Sequence, residues 1–320
     1  MSDTPFRYKK LGYIAVNVTD LEKSVAFYRD IVGMEVSEHR KGEVAFMRCS
    51  DDHHSLAFYP STQPGLKRVA FEMESDEDLE AARRQLAALG VAYQETPAAE
   101  AQGLHHRQSL RFDIPGCGLR MELFAGGDRP VRPFEPTRAQ ILRLGHIVIN
   151  IMNFDTTFPW LTEKFGFRVS DHIRHDLKPE AEIAFLRCYP NPYHHSLGIA
   201  RASSNQLHHF ALMVRDLDDI GVGNNRLPRE GSKIVWGPGR HVASGSVFLY
   251  FLDPDQITIE YTYGMEEFSE RTPRPARQLE PRLEIADMWL GRPEPEYARV
   301  GHAELGGFER AIHQQVGARR

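Results

Sequence analysis

Leu144-Gly145-His146-Ile147-Val148-Ile149-Asn150-Ile151 reads as a buried strand, and the chain carries a near copy of it at Leu11-Gly12-Tyr13-Ile14-Ala15-Val16-Asn17-Val18. Each copy is followed by an amphipathic helix signal. In the first, Thr19-Asp20-Leu21-Glu22 has a capping-box pattern, Val25, Phe27, Tyr28, Ile31 and Val32 form an apolar stripe, and Gly33 is a stop. Met34-Glu35-Val36 then starts a strand. The second copy runs from Asp155 to Phe165 with Gly166 as its stop, and Pro159 is compatible with a helix there in its first turn.

The match continues downstream in the same order. Ala45-Phe46-Met47-Arg48-Cys49 recurs as Ala184-Phe185-Leu186-Arg187-Cys188, and His53-His54-Ser55-Leu56 as His194-His195-Ser196-Leu197. Leu66-Lys67-Arg68-Val69-Ala70-Phe71 recurs as Leu207-His208-His209-Phe210-Ala211-Leu212. Gly118-Leu119-Arg120-Met121-Glu122-Leu123 recurs as Gln256-Ile257-Thr258-Ile259-Glu260-Tyr261. Agreement in order and spacing means two tandem copies of one domain, each made of two βαβββ modules. The fold class is α+β. The second module of the first copy has its helix over Asp78 to Leu89, with Gly90 as its stop, and its counterpart lies around Asp216 to Leu227. The boundaries are an N-terminal domain at 1–128, a linker at 129–142, a C-terminal domain at 143–265 and an extension at 266–320. The extension is rich in Pro and Arg and matches neither copy. It reads as an arm wrapping its own domain or a neighbouring subunit, with a short helix after Glu296.

Composition excludes several classes of function. The chain of 320 residues is 41% hydrophobic and 26% charged, as soluble globular proteins are. A net charge of −5 gives no footprint for nucleic acid. No apolar run spans a bilayer, and the first residues lack the apolar core of a signal peptide. Three cysteines without a CxxC spacing imply a reducing, cytoplasmic setting.

Comparing the copies isolates the chemistry. Tyr13 becomes His146, Arg68 becomes His209, and Glu122 is kept as Glu260. Two imidazoles and a carboxylate on strands of one copy suit a divalent first-row metal, and a facial set with open positions suits non-haem Fe(II), with Mn(II) as an alternative. The glutamate lies in Gly239-Arg240-His241-Val242-Ala243-Ser244-Gly245-Ser246-Val247-Phe248-Leu249-Tyr250-Phe251-Leu252-Asp253-Pro254-Asp255-Gln256-Ile257-Thr258-Ile259-Glu260. This reads as a loop with His241, a strand ending near Tyr250, an Asp-Pro turn and a second strand. Strand alternation puts Thr258 and Glu260 on the face opposite Ile257 and Ile259. Three readings of this pattern stand side by side. One is a metal-dependent oxygenase, one a glyoxalase-like lyase or isomerase, and one a non-enzymatic small-molecule-binding protein.

The same stretch resembles the signature of the two-domain type I extradiol ring-cleavage dioxygenases of the vicinal oxygen chelate superfamily. That signature is Gly-x-His, Leu-Tyr-x-x-Asp-Pro and a Glu about ten residues after the Tyr. Gly239, His241, Leu249, Tyr250, Asp253, Pro254 and Glu260 meet it. His-His-Ser-Leu at 194–197 and Leu-His-His-Phe at 207–210 also resemble blocks of the family, and the likeness spans roughly 8–265. Gln256, where the family usually has Gly or Pro, departs from it, as does Ser244, where dihydroxybiphenyl-type members often have Asp. The resemblance implies a curved, incompletely closed sheet around a cavity in each domain. It implies Fe(II) held by His146, His209 and Glu260 in the C-terminal domain, with the N-terminal domain free of metal. It further implies that His195 acts as acid and base and that His241 and Tyr250 position the substrate. His195 and His209 are preferred over His194 and His208 because they occupy the motif columns. The implied reaction is meta cleavage of a catechol-type diol by O2 in aromatic compound degradation. A homo-oligomer is expected.

Overall fold

The computed structural model describes residues 4–306. The first repeat contains β1 (Tyr8–Val18), α1 (Leu21–Phe27), β2 (Glu35–Arg40), β3 (Val44–Arg48) and β4 (Leu56–Pro60), then β5 (Gly65–Met73), α2 (Asp76–Ala88), β6 (Tyr93–Glu95), α3 (Ala98–Gly103), β7 (His106–Asp113) and β8 (Arg120–Gly127). The second contains β9 (Ile141–Ile151), α4 (Phe154–Pro159), β10 (Phe167–Ile173), β11 (Ile183–Cys188) and β12 (Leu197–Arg201), then β13 (Gln206–Val214), α5 (Leu217–Arg226), β14 (Ile234–Arg240), β15 (Val247–Leu252) and β16 (Thr258–Tyr263). Beyond it lie β17 (Arg277–Leu279), α6 (Leu283–Ala286) and β18 (His302–Ala303).

Side-chain chemistry sets the helix starts. Asp20 caps α1 by accepting from the Lys23 N–H at 3.0 Å, and Thr19 instead binds Asp255 from the other repeat. Ser75 caps α2, so this helix begins two residues before Asp78. Asp216 and Asp219 form a reciprocal capping box on α5, which offsets its glycines and asparagines. Pro159 is not in the first turn of α4 but is its last residue, and the chain widens there into a π-helical stretch over Trp160–Lys164. A missing N–H is tolerable where the α-helical ladder is already giving way. The first repeat makes the same change over Tyr28–Val32 without a proline.

In the first repeat the strand order is β2-β3-β4-β1-β5-β8-β7-β6. The second repeats it as β10-β11-β12-β9-β13-β16-β15-β14. Within each repeat the outermost strands do not pair with each other among the described residues, so each sheet curves but stays open. Alternation assigns the two faces. Ile147, Ile149, Phe210, Leu212, Ile257 and Ile259 join the apolar core, while His146, Val148 and His209 line a cavity on the opposite face.

The repeats are joined by buried polar anchors as well as apolar packing. Tyr8 donates to the Phe165 carbonyl at 2.8 Å, and Tyr261 to the Val32 carbonyl at 3.0 Å. Asp253 of the Asp-Pro turn accepts from the N–H groups of Asp255 and Ile257 and from the Tyr28 hydroxyl. Gln256, the departure within this turn, takes a left-handed φ of 67°. Glycine adopts that conformation without strain, so the turn keeps its shape at a small conformational cost.

The extension packs on its own chain. β17 adds to the edge of β10, and β18 pairs with both β5 and β13. No helix follows Glu296 within the described residues, because 295–298 turn back toward β18, and 307–320 lie outside the description. No described helix is long and apolar enough to cross a membrane.

Candidate metal centre

Strand register brings the three expected ligands together. Ala211 on β13 lies opposite His146 on one side and beside Glu260 on the other. His209, two residues along the same strand, shares the face of Ala211. The small alanine leaves the space into which the flanking side chains converge. His146 Nε2 lies 3.0 Å from Glu260 Oε2, His209 Nε2 lies 3.3 Å from the same oxygen, and the two nitrogens are 3.3 Å apart. Ligands at right angles on an ion with bonds near 2.1 Å are about 3 Å apart.

The electrostatics call for a cation. Glu260 is fully buried, and neither of its oxygens has a hydrogen-bond partner in proper geometry despite the nearby imidazoles. Burial pushes its carboxyl up, but His146 and His209 outweigh this and hold it below the usual carboxylate range. Burial in turn lowers the pKa of His146, which favours the neutral imidazole a metal needs. A buried carboxylate is costly without a counter-charge, which a metal ion on these ligands would supply. His209 Nδ1 faces His208 Nδ1 at 2.7 Å, leaving Nε2 of His209 directed to the cluster. The donor set and its geometry fit Fe(II) or Mn(II).

The other expected residues surround the same cavity of about 200 Å³. The His195 ring is 4.1 Å from that of His146, centroid to centroid. His195 Nδ1 meets His194 Nδ1 at 3.0 Å, and His194 Nε2 meets Asp171 at 2.8 Å. If His194 donates Nε2–H to Asp171, its Nδ1 accepts from His195, and His195 keeps a bare Nε2. His241 follows β14 directly, donating Nδ1–H to the Ala286 carbonyl at 2.5 Å and accepting from the Tyr250 hydroxyl at Nε2 at 3.0 Å. Tyr250 and Glu260 are directly paired across β15 and β16, which fixes the phenol beside the carboxylate. A Cβ on Gly239 would lie 2.3 Å from Phe248 Cζ and 2.7 Å from an Asp287 oxygen, so this signature glycine makes room for the extension.

Several lining residues had no signal in the sequence. Ile285, Ala286 and Tyr297 come from the extension and have no counterpart in the repeat. Tyr297 packs against Tyr250 with centroids 4.9 Å apart. Trp236 stacks on Tyr250 and also meets Tyr297, so the three rings form one cluster. Asp171 is clamped by Arg274 and Arg277, also from the extension.

The first repeat shows what replaces the metal. Arg68, in the column of His209, lies 3.1 Å from Glu122 and donates to Tyr13 at 2.8 Å. Arg111 pairs with Glu122 across β7 and β8 as Tyr250 does with Glu260, and donates to it at 2.5 Å. The guanidinium groups stand where a cation is needed. Burial pushes the Glu122 carboxyl up, but Arg68, His106 and Arg111 outweigh it and hold it low. Glu122→Ala should therefore destabilise the protein by about 3–5 kcal/mol by stranding buried arginine charge. A thermal midpoint within a degree of wild type would refute this. Because the folded carboxyl titrates low, its contribution is intact above the unfolded value near 4 and fades as pH falls further.

A family model described as Glyoxalase/Bleomycin resistance protein/Dioxygenase superfamily matches residues 10–112 and 143–261. A manganese-dependent 2,3-dihydroxybiphenyl 1,2-dioxygenase of Geobacillus genomosp. 3 is 30% identical over 264 residues, 77% of this chain and 81% of the relative. The chain belongs to this superfamily, among its extradiol dioxygenases. An iron-dependent extradiol dioxygenase of Rhodococcus jostii is 25% identical over 311 residues, covering 92% of this chain and 96% of that one. The fold is shared with the Mn(II)-bound glyoxalase of Novosphingobium aromaticivorans, at a TM-score of 0.80, 28% identity and coverage of 94% and 97%. In this superfamily member the two-repeat layout agrees with the fold expected from the repeat, and the open sheets with that expected from the resemblance.

Proposed function

We propose that the protein cleaves the ring of a catechol-type diol beside one hydroxyl, with O2, at a metal held by His146, His209 and Glu260. The observation that carries this is the buried, unpartnered Glu260 between two imidazoles that line a largely apolar cavity. Fe(II), or Mn(II) on the same ligands, would supply Lewis acidity and redox activity toward the diol and O2. The chain's own residues do the rest. Val148, Ile173, Ile183, Phe185, Trp236 and Ile285 exclude water and pack the ring. Burial lowers the pKa of His195 well below its ordinary value, so at neutral pH it is a base whose Nε2 accepts a proton from the substrate and later returns it. Burial also keeps Tyr250 protonated and His241 neutral, so the Tyr250 hydroxyl, which rests on His241 Nε2, is the proton this pair turns to a substrate oxygen.

The glyoxalase-like reading is weaker, since such enzymes generally draw four ligands from paired modules and this cluster holds three among the described residues. A purely binding protein leaves the buried carboxylate unexplained. Among the described residues no Lys or Arg lines the cavity, which supports a substrate with an uncharged ring substituent. Metal-loaded protein should consume O2 and form a visible-absorbing product with alkyl- or aryl-catechols, and do so at least about tenfold less well with carboxylate-bearing ones, given the unpaired buried charge. Absence of O2 uptake across the panel would defeat the reading.

The setting we propose is the cytoplasm, supported by three free, buried cysteines. A homo-oligomer is supported by Met288, Trp289 and Leu290, consecutive apolar residues about half exposed on the extension. Sedimentation of the loaded protein should show more than a monomer, and Trp289→Ser should shift it toward one. A monomer in the wild type would overturn the assignment.

A further inference from the structure

The first repeat holds a second group of metal-binding side chains, away from the columns of the ligand triad. Glu38 on β2, His53 before β4 and His105 before β7 each place one ligand atom within 4.8 Å of the others. None of them corresponds to His146, His209 or Glu260. All three are partly exposed, and His53 and His105 border an open surface cleft beside Asp128 and Arg129. Ions and water therefore have access.

What distinguishes the group from a chance cluster is its supporting shell. Ligands in metal sites are oriented by hydrogen bonds through the atoms they do not give to the ion. Here each ligand has such a partner. Glu38 Oε1 accepts from Arg40 Nε at 2.6 Å. His105 Nδ1 faces Asp128 at 3.2 Å, the arrangement in which a carboxylate steadies a metal-bound imidazole. His53 Nδ1 faces His54 Nδ1 at 3.1 Å. What remains is Glu38 Oε2, His105 Nε2 and His53 Nε2. The first two are 2.7 Å apart, a few tenths short of the spacing of neighbouring ligands on an ion. The His53 and His105 rings are stacked with centroids 3.4 Å apart and planes 12° from parallel, so binding one ion through both requires one ring to turn about its side-chain bonds. His54 lines a second, adjoining recess with His53 and His105, is 5% exposed, and has an Nε2 without a hydrogen-bond partner.

We propose that Glu38, His53 and His105 form a second site for a borderline divalent cation, binding it independently of the catalytic centre. Two imidazoles and one carboxylate favour Zn(II), Cu(II), Ni(II) or Co(II) over the hard ions Mg(II) and Ca(II). The catalytic triad offers the same donor types, so what separates the two sites is exposure rather than donor preference. The open cleft leaves the remaining coordination positions to water, so the ion exchanges with solvent.

The test uses holoenzyme with its catalytic metal already bound. It is incubated anaerobically with Zn(II), freed of unbound ion by gel filtration and analysed for both metals. Wild type should gain one zinc per chain while retaining its catalytic metal. His53→Gln and His105→Gln should each weaken zinc binding at least about tenfold, the scale seen even for residues that only support a ligand. Both should keep the catalytic metal and the turnover rate. Failure to gain zinc overturns the proposal. So does zinc gained only in exchange for the catalytic metal, or retained unweakened in both variants. Since zinc and catalytic metal are counted separately, the result does not depend on the ring-cleavage reading.

Discussion

His146→Ala should bring the protein's iron content from about one ion per chain to below roughly a tenth of that, with loss of turnover to match. The argument rests on ligand count. Three protein groups converge within 3.3 Å of one another, and the substitution leaves one imidazole and one carboxylate. Loss of residues that merely orient a ligand already lowers metal affinity 10–100-fold, so loss of a ligand should do more. His209→Ala should behave alike. Metal analysis on anaerobically purified protein checks this, with circular dichroism to show that the fold persists. His146 is buried on a central strand, so His146→Gln provides a closer match in volume. Full occupancy in these variants would remove the triad from the mechanism.

The second large effect is expected at His195. His195→Gln should retain the metal and the fold but slow turnover by two to four orders of magnitude, the range for general acid–base groups. The geometry separates the two roles. His195 sits against the His146 ring yet directs Nδ1 to His194, away from the ligand cluster. A base acting through a bare Nε2 should also leave its mark on the pH profile of kcat, whose acidic limb should vanish in the variant. Near-normal turnover with an unchanged pH profile would assign His195 to packing alone.

Much of this architecture was legible in the residues because the chain states its domain twice. Aligning Leu11–Val18 with Leu144–Ile151 gives the repeated succession of strands and helices along the chain, and the columns of Tyr13, Arg68 and Glu122 expose the substitutions that make a ligand set. The alternation of Ile257, Thr258, Ile259 and Glu260 likewise predicted which side chains face the core. The doublet His208-His209 resisted because the ladder shifts by one residue between Leu207 and His209. A bulge there turns both imidazoles toward the cavity, and counting by twos fails through it. Ile285, Ala286 and Tyr297 were invisible for another reason. They lie in a segment held by tertiary contacts, with neither periodicity nor a second copy to compare. The support of His195 through His194, Asp171, Arg274 and Arg277 spans more than a hundred residues, and no local pattern announces it.

The same extension has a consequence for the order in which the molecule becomes competent. Synthesis runs from the N-terminus, so a nascent chain that has just completed β16 already contains His146, His209 and Glu260. It lacks the carbonyl of Ala286 that orients His241, the phenol of Tyr297 that packs on Tyr250, and the arginines that clamp Asp171. Such a chain has its ligands but lacks part of the cavity wall, which comes with Ile285, Ala286 and Tyr297. β18 follows and hydrogen-bonds to a strand of each repeat. The ligand set is thus synthesised before the residues that complete the chamber around it.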